Sequence, residues 1–166
     1  MDMSPVALRF ISDLLERRTG QQVSAERHWR IGTALGGVFR ERGISNIDQL
    51  VCLLADPREG ALANQVVEAL LNNETYFYRD HVMFDHLAGK VLPEIAHRRN
   101  ATRTLRIWSA GCSTGQETYS LAMLFRENAA QWEGWTIQIV GTDISRKAIE
   151  SARRGLFSQF AIQRGL

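Results

Sequence analysis

From Leu105 onward the chain spells strand, small-residue turn, helix, strand, acidic residue, helix, and this order constrains the fold more than any other feature. Leu105-Arg106-Ile107-Trp108-Ser109-Ala110 is a short apolar run, and residues 111–115 form a turn rich in small side chains. Residues 117–127 read as a helix with Leu121, Ala122, Leu124 and Phe125 on it. Residues 136–140 alternate around Ile137 and Ile139 and run into Gly141-Thr142-Asp143. A last helix spans 145–154, with Ser145 as its cap and Gly155 as its terminator. The alternation argues for parallel βαβ topology. Two strands are too few for a stable parallel sheet, whose faces are both covered by helices. The expectation is that the chain stops mid-fold. Either the natural protein continues beyond Leu166, or another copy supplies the missing strands, as in a strand-exchanged homodimer.

The first part reads as helices. Residues 5–18 carry Val6, Leu8, Phe10, Ile11, Leu14 and Leu15, with Ser4 as N-cap before Pro5 and Gly20 as the stop. Ser24 is expected to open a second helix reaching Gly43, with Trp29, Ile31 and Leu35 pointing inward. Its basic residues Arg27, His28, Arg30, Arg40 and Arg42 then form a solvated face or a docking face. Asn46 caps a third helix through Leu53 and Leu54, ended by Asp56-Pro57. A fourth covers 60–71. Phe84, Leu87, Val91 and Leu92 indicate another helix, followed by a polar linker from 97 to 104.

Composition excludes several classes. A formal charge of +2 is too mild to imply a nucleic-acid partner. No stretch approaches the roughly 18 apolar residues that span a bilayer, and the apolar group at 8–15 is broken by Arg9 and Asp13, unlike a signal peptide. Cys52 and Cys112 are far apart, show no metal spacing, and read as reduced thiols of a cytoplasmic protein.

Three stretches carry chemistry. In Ala110-Gly111-Cys112-Ser113-Thr114-Gly115-Gln116-Glu117 a strand turns into a helix. Glycines there let a ligand approach the backbone, and the helix start offers N–H groups; a tight turn without a ligand is the plainer alternative. The same stretch matches G-x-S-x-G, with Ser113 as a hydrolase nucleophile, but no histidine follows His97 to complete a triad. Asp143, at the end of the second strand, either accepts hydrogen bonds from ribose hydroxyls or caps the next helix. Asn72-Asn73-Glu74-Thr75-Tyr76-Phe77-Tyr78-Arg79-Asp80 reads on composition alone as a linker.

Together these stretches closely resemble the CheR family of chemoreceptor methyltransferases. The matching residues are Asn73-x-Thr75-x-Phe77-x-Arg79, then 108–120 from Trp108 to Ser120, then Gly141-Thr142-Asp143-Ile144-Ser145 with Ala148, Ala152 and Gly155. The resemblance implies an α/β fold: a small all-α N-terminal domain, then the first βαβα part of a class I (Rossmann-like) S-adenosylmethionine methyltransferase sheet. Residues 1–72 would be the helical receptor-docking domain. Residues 73–104 would be a linker and helix contributing to the active site, and 105–166 the incomplete cofactor-binding α/β domain. The cofactor would be S-adenosyl-L-methionine, the product S-adenosyl-L-homocysteine, and the acceptor a glutamate on the cytoplasmic helices of chemoreceptors. The protein would sit peripherally at receptor arrays, without membrane insertion or nucleic acid.

Residue by residue, the resemblance gives Asn73, Thr75 and Arg79 to the cofactor or reaction centre, with Arg79, Thr75 and Tyr78 as catalytic residues. Ala110, Gly111, Ser113, Gly115, Glu117, Asp143 and Ile144 join Asn73, Thr75 and Arg79 around the cofactor. Glu117 would meet its methionine end and Asp143 its ribose. A carboxylate can attack a sulfonium methyl without a general base, so orientation and a dry, polar pocket would suffice. The family has Glu-Glu-Pro where this chain has Gln116-Glu117-Thr118, a change expected to shift the helix start slightly and leave Glu117 usable. The family's later strands, with their adenine- and methyl-side residues, are absent from these 166 residues. The chain alone is therefore expected to bind cofactor weakly and not to methylate. A catalytically incomplete receptor- or cofactor-binding module is the alternative, and a nucleic-acid methyltransferase on the same sheet the more distant one.

Overall fold

The structure, a computed structural model, describes residues 4–22 and 28–165. Ser24 and Arg27, expected to open the second helix and its basic face, lie outside the described residues. Two compact units, Met1–Asn72 and Asn73–Leu166, make up the chain.

The described elements of the first unit are helices α1 (Pro5–Thr19), α2 (Trp29–Arg42), α3 (Ile47–Leu54) and α4 (Gly60–Leu70). Their starts follow local hydrogen-bond chemistry. Ser4 Oγ accepts from the Ala7 N–H at 3.2 Å, ahead of Pro5, whose missing N–H costs nothing at this position. Asn46 Oδ1 accepts from the Gln49 N–H at 2.9 Å. Ala7, Ile11, Leu14 and Leu15 form one buried stripe along α1, and Ile31, Leu35, Val38 and Phe39 form another along α2. These meet Ile47 and Leu50 of α3 and Leu62, Ala63, Val66 and Val67 of α4 in a single core. Ile11, Leu35, Leu50 and Val66 are fully buried, each contributing about 1.5–3 kcal/mol.

Trp29 departs from expectation: it is 72% exposed, while Ile31 and Leu35 are buried. At about 100° of rotation per residue, Trp29 stands two positions and about 200° away from Ile31, on the opposite side of α2.

In the second unit β1 (Thr104–Ala110) pairs in parallel with β2 (Thr136–Thr142), in register from Thr104↔Thr136 to Ala110↔Thr142. Helix α7 (Gln116–Glu127) is the crossover, and α8 (Arg146–Arg154) follows β2. Among the described residues the sheet has these two strands. One face carries Leu105, Ile107, Ile137 and Ile139 and packs on a core of Leu121, Leu124, Phe125, Phe84, Leu92 and Trp132. A 3-10 turn, Ala129–Trp132, delivers Trp132 between Phe125 and Trp135, edge-on to both at about 5 Å. The other face, with Arg106, Trp108, Gln138 and Val140, is exposed.

The helix expected near Phe84–Leu92 is two helices, α5 (His81–His86) and α6 (Leu92–Arg98), joined by a π turn, Leu87–Val91. The cause is Pro93, which has no N–H for the Gly89 carbonyl and whose ring clashes with it. The widened turn lets the Leu92 N–H reach back to the Leu87 carbonyl instead. A short helix α9 (Gln159–Gln163), capped by Ser158, was not anticipated from the sequence.

Candidate active site

The carboxyl ends of β1 and β2 meet at the 111–115 turn. The Gly111 and Cys112 N–H groups both donate to the Thr142 carbonyl, at 2.8 and 2.9 Å. The Ser113 N–H donates to Asp143 Oδ2 at 2.7 Å. Three consecutive N–H groups of the turn are thus bonded to the end of β2 rather than turned outward as an anion cradle.

The glycines of the turn divide by role. Gly111 has φ +75, and a Cβ built on it would meet nothing within 4 Å, so the backbone there borders open space that a ligand can enter. At Gly115, φ +97, a Cβ would fall 2.9 Å from Ala152 Cβ and 3.2 Å from the Tyr119 ring. The absent side chain at Gly115 is what lets the start of α7 pack on α8.

Two acids flank the turn, both half-buried. Asp143 accepts the Ser113 N–H through Oδ2 and the Ser145 N–H, at 2.8 Å, through Oδ1. Ser145 Oγ, in turn, accepts from the Ala148 N–H and caps α8. The two readings of this stretch therefore divide between neighbours: Ser145 is the cap, and Asp143 faces the turn. Glu117 is oriented by the Ser109 hydroxyl, which donates to its Oε1 at 2.6 Å. Each carboxylate offers about four lone-pair positions, so both keep acceptor capacity beyond these bonds. Burial, and next the Asp143 charge, push the Cys112 thiol above its ordinary pKa. Thr118 Oγ1 is buried beside this thiol, and its hydrogen bond acts on the thiol in the opposite, lowering direction.

The 73–79 segment runs beside the turn. Ser113 Oγ donates to the Asn73 carbonyl at 2.6 Å, which commits its proton and speaks against a hydrolase nucleophile. Thr75 is half-buried. Arg79 is exposed, and its Nη1 donates to the Glu74 carbonyl at 2.8 Å. The Tyr76 ring lies 5.8 Å from the Arg79 guanidinium and 4.7 Å from that of Arg164, which also pairs with Glu74 at 2.8 Å. Ala110 and Ile144, at the strand ends, are exposed.

Asn73, Gly111, Ser113, Glu117 and Asp143 are thus brought to one end of the sheet. Tyr78 is not: its hydroxyl is 3.5 Å from Glu127 Oε1, ten residues and about 15 Å along α7 from Glu117. Its ring packs edge-on to Phe84 at 5.1 Å. Burial, then the Glu127 charge, raise the phenol pKa. Two residues without an expected role stand out. Ser109 orients Glu117, and Ser120 accepts the Tyr78 N–H at 2.9 Å. A polar residue on the buried side of an apolar strand was the available signal for Ser109. Ser120 offered none beyond its presence in the motif.

Comparison with known proteins gives a consistent family. The family described as CheR methyltransferase, SAM binding domain, matches residues 73–165. Chemotaxis protein methyltransferase Cher2 of Pseudomonas putida is 35% identical over 156 residues, covering 92% of this chain and 56% of its own length. Chemotaxis protein methyltransferase 1 of Pseudomonas aeruginosa is 36% identical with the same coverage. A chemotaxis protein methyltransferase of Vibrio parahaemolyticus is 32% identical over 160 residues, 95% of this chain and 57% of its own length. The chain thus spans a little over half the length of these relatives. Among the described residues no helix is long and apolar enough to cross a membrane.

Proposed function

The chain belongs to the CheR methyltransferase family, whose cofactor is S-adenosyl-L-methionine, and from that premise we propose that it serves methyl transfer to glutamate side chains of chemoreceptors. The observation that carries the reading is the acceptor-rich character of the site. The N–H groups of residues 111–113 are bonded internally, and Glu117 and Asp143 flank a backbone left open at Gly111. Such a site suits an amine and ribose hydroxyls and disfavours a phosphate, so the residues present fit this cofactor.

When bound, S-adenosyl-L-methionine supplies an electrophilic methyl group on a sulfonium. The chain's own residues then hold and orient. Glu117 accepts from the amino group of the methionine end, and Asp143 accepts from the ribose. Arg79, released from the Glu74 carbonyl, pairs with the incoming glutamate carboxylate. No residue has to take a proton from that carboxylate, since it is ionised at neutral pH.

In this reading residues 1–72 are an all-helical domain that docks receptor helices through the exposed Arg30, Arg40 and Arg42. Residues 73–104 bring Thr75 and Arg79 to the reaction centre, and 105–166 belong to a Rossmann-like sheet. Work at cytoplasmic receptor arrays follows from that acceptor. The bare sheet face and the two open strand edges support two further statements: these 166 residues hold cofactor weakly and transfer no methyl group by themselves, and copies of them exchange strands as homodimers.

Isothermal titration of S-adenosylhomocysteine into the chain tests the cofactor site. Binding that Glu117→Ala weakens about 10- to 100-fold is expected, the loss of one charged hydrogen bond. Absence of binding, or displacement by pyrophosphate, overturns the reading. Transfer of labelled methyl groups to a receptor fragment by this chain alone would overturn its proposed inactivity.

A further inference from the structure

Residues 73–80 lie outside any helix or strand, yet two buried serines fasten the segment near both ends. At one end Ser113 Oγ donates to the Asn73 carbonyl at 2.6 Å. At the other, Ser120 Oγ accepts the Tyr78 N–H at 2.9 Å and donates its own proton to the Gln116 carbonyl at 2.7 Å. Ser120 is fully buried and Ser113 is 7% exposed. The bond to Gln116 alone would satisfy a helix serine's donor. The bond to a backbone N–H 42 residues away is additional and ties α7 to the segment. Between the anchors Phe77, 4% exposed, packs edge-on to Phe157 at 4.9 Å.

The backbone is strained where the anchors attach. Tyr78 has φ 48 and Ser113 φ 49. Non-glycine residues persist in that region where their surroundings over-determine them. Ser113 is held twice, by Asp143 at its N–H and by Asn73 at its hydroxyl, so one residue joins the acid at the end of β2 to the start of the segment.

We propose that Ser120 and Ser113 are positioning residues for the acceptor side of the reaction. They fasten the 73–79 segment to the turn and to α7, so that Thr75 and Arg79 keep a fixed place relative to Gly111, Glu117 and Asp143. This inference rests on the methyltransferase reading above.

Hydrogen exchange on the 166-residue chain tests it, in wild type, Ser120→Ala and Ser120→Thr, with peptides over 146–154 as internal reference and S-adenosylhomocysteine as the probe. Ser120→Ala is expected to speed exchange of the Tyr78 amide at least tenfold while 146–154 stays unchanged. Its S-adenosylhomocysteine affinity should change less than threefold, and Ser120→Thr, which keeps the hydroxyl, should retain slow exchange. Unchanged Tyr78 exchange overturns the proposal, as does equal acceleration in 146–154 or a larger loss of affinity. If Ser120→Ala does not fold, the wild type decides: its Tyr78 amide must be among the slow ones in 73–80, and fast exchange there overturns the anchor. Failure of the methyltransferase reading has its own signal, no S-adenosylhomocysteine binding by wild type, and that outcome removes the positioning role even where the exchange response is seen.

Discussion

Asp143 holds the turn and faces the expected ribose with the same carboxylate, so its substitutions should separate by chemistry. Asp143→Ala leaves the Ser113 N–H without its acceptor in a left-handed backbone, and is expected to lower stability by about 1–3 kcal/mol. Asp143→Asn keeps one carbonyl oxygen but turns a donor toward one of two N–H groups, and should cost a similar amount despite its near-identical shape. Urea unfolding of both variants checks this; an Asp143→Asn as stable as wild type would mean that only one of the two bonds matters. Cys112 gives a pH dependence of definite sign. Its folded pKa is raised, so the stability it contributes is fully present below the ordinary thiol value and is lost as pH rises through the raised folded value. The urea midpoint should therefore fall at alkaline pH, and fall less in Cys112→Ala. Alkylation at pH 8 should modify the exposed Cys52 well before the buried Cys112.

At the scale of elements, the two glycines of the turn make opposite predictions from the same substitution. Gly115→Ala meets both a positive φ and contacts at 2.9 and 3.2 Å, and should destabilise by about 2–4 kcal/mol. Gly111→Ala meets the backbone penalty alone, about 1–2 kcal/mol, but puts a methyl group into the open space and should weaken S-adenosylhomocysteine disproportionately. Denaturation and titration of the pair check the division; equal stability losses would erase it. What was legible in the sequence followed the same line between local and distant. Ser4, Asn46 and Ser145 cap helices through bonds three residues long, and the strands alternate at their own period, so both could be read directly. The turn and its two acids were legible because a strand, a turn and a helix are consecutive in sequence. The left-handed backbone at Tyr78 and the 42-residue bond from Ser120 depend on what packs nearby, and no local pattern records that. Trp29 shows the limit of hydrophobicity as a guide to burial: its angle on α2, about 200° from Ile31, sets it in solvent.

For the second unit as a whole, the decisive quantity is how little of the sheet is covered. Among the described residues both strands are edges, and Trp108 and Val140, neighbours in register, are 71% and 46% exposed on the bare face. Trp108 keeps its indole N–H satisfied on Thr142 Oγ1, which leaves the ring as apolar surface. A formal charge of +2 gives little repulsion between copies. Open edges and exposed apolar side chains drive association at micromolar to millimolar concentrations. The sedimentation coefficient of the chain is therefore expected to rise between about 10 and about 500 μM. Val140→Lys sets a charge on the bare face of an edge strand and should hold the chain as a monomer over the same range, with its helical circular dichroism unchanged. If association persists in Val140→Lys but is lost when the apolar Leu156 and Phe160, 80% and 76% exposed, are made polar, the contact belongs to the stretch around α9 and strand exchange is not its basis. If wild type stays monomeric throughout, the open edges are tolerated as they stand, and the strand-exchanged homodimer is ruled out.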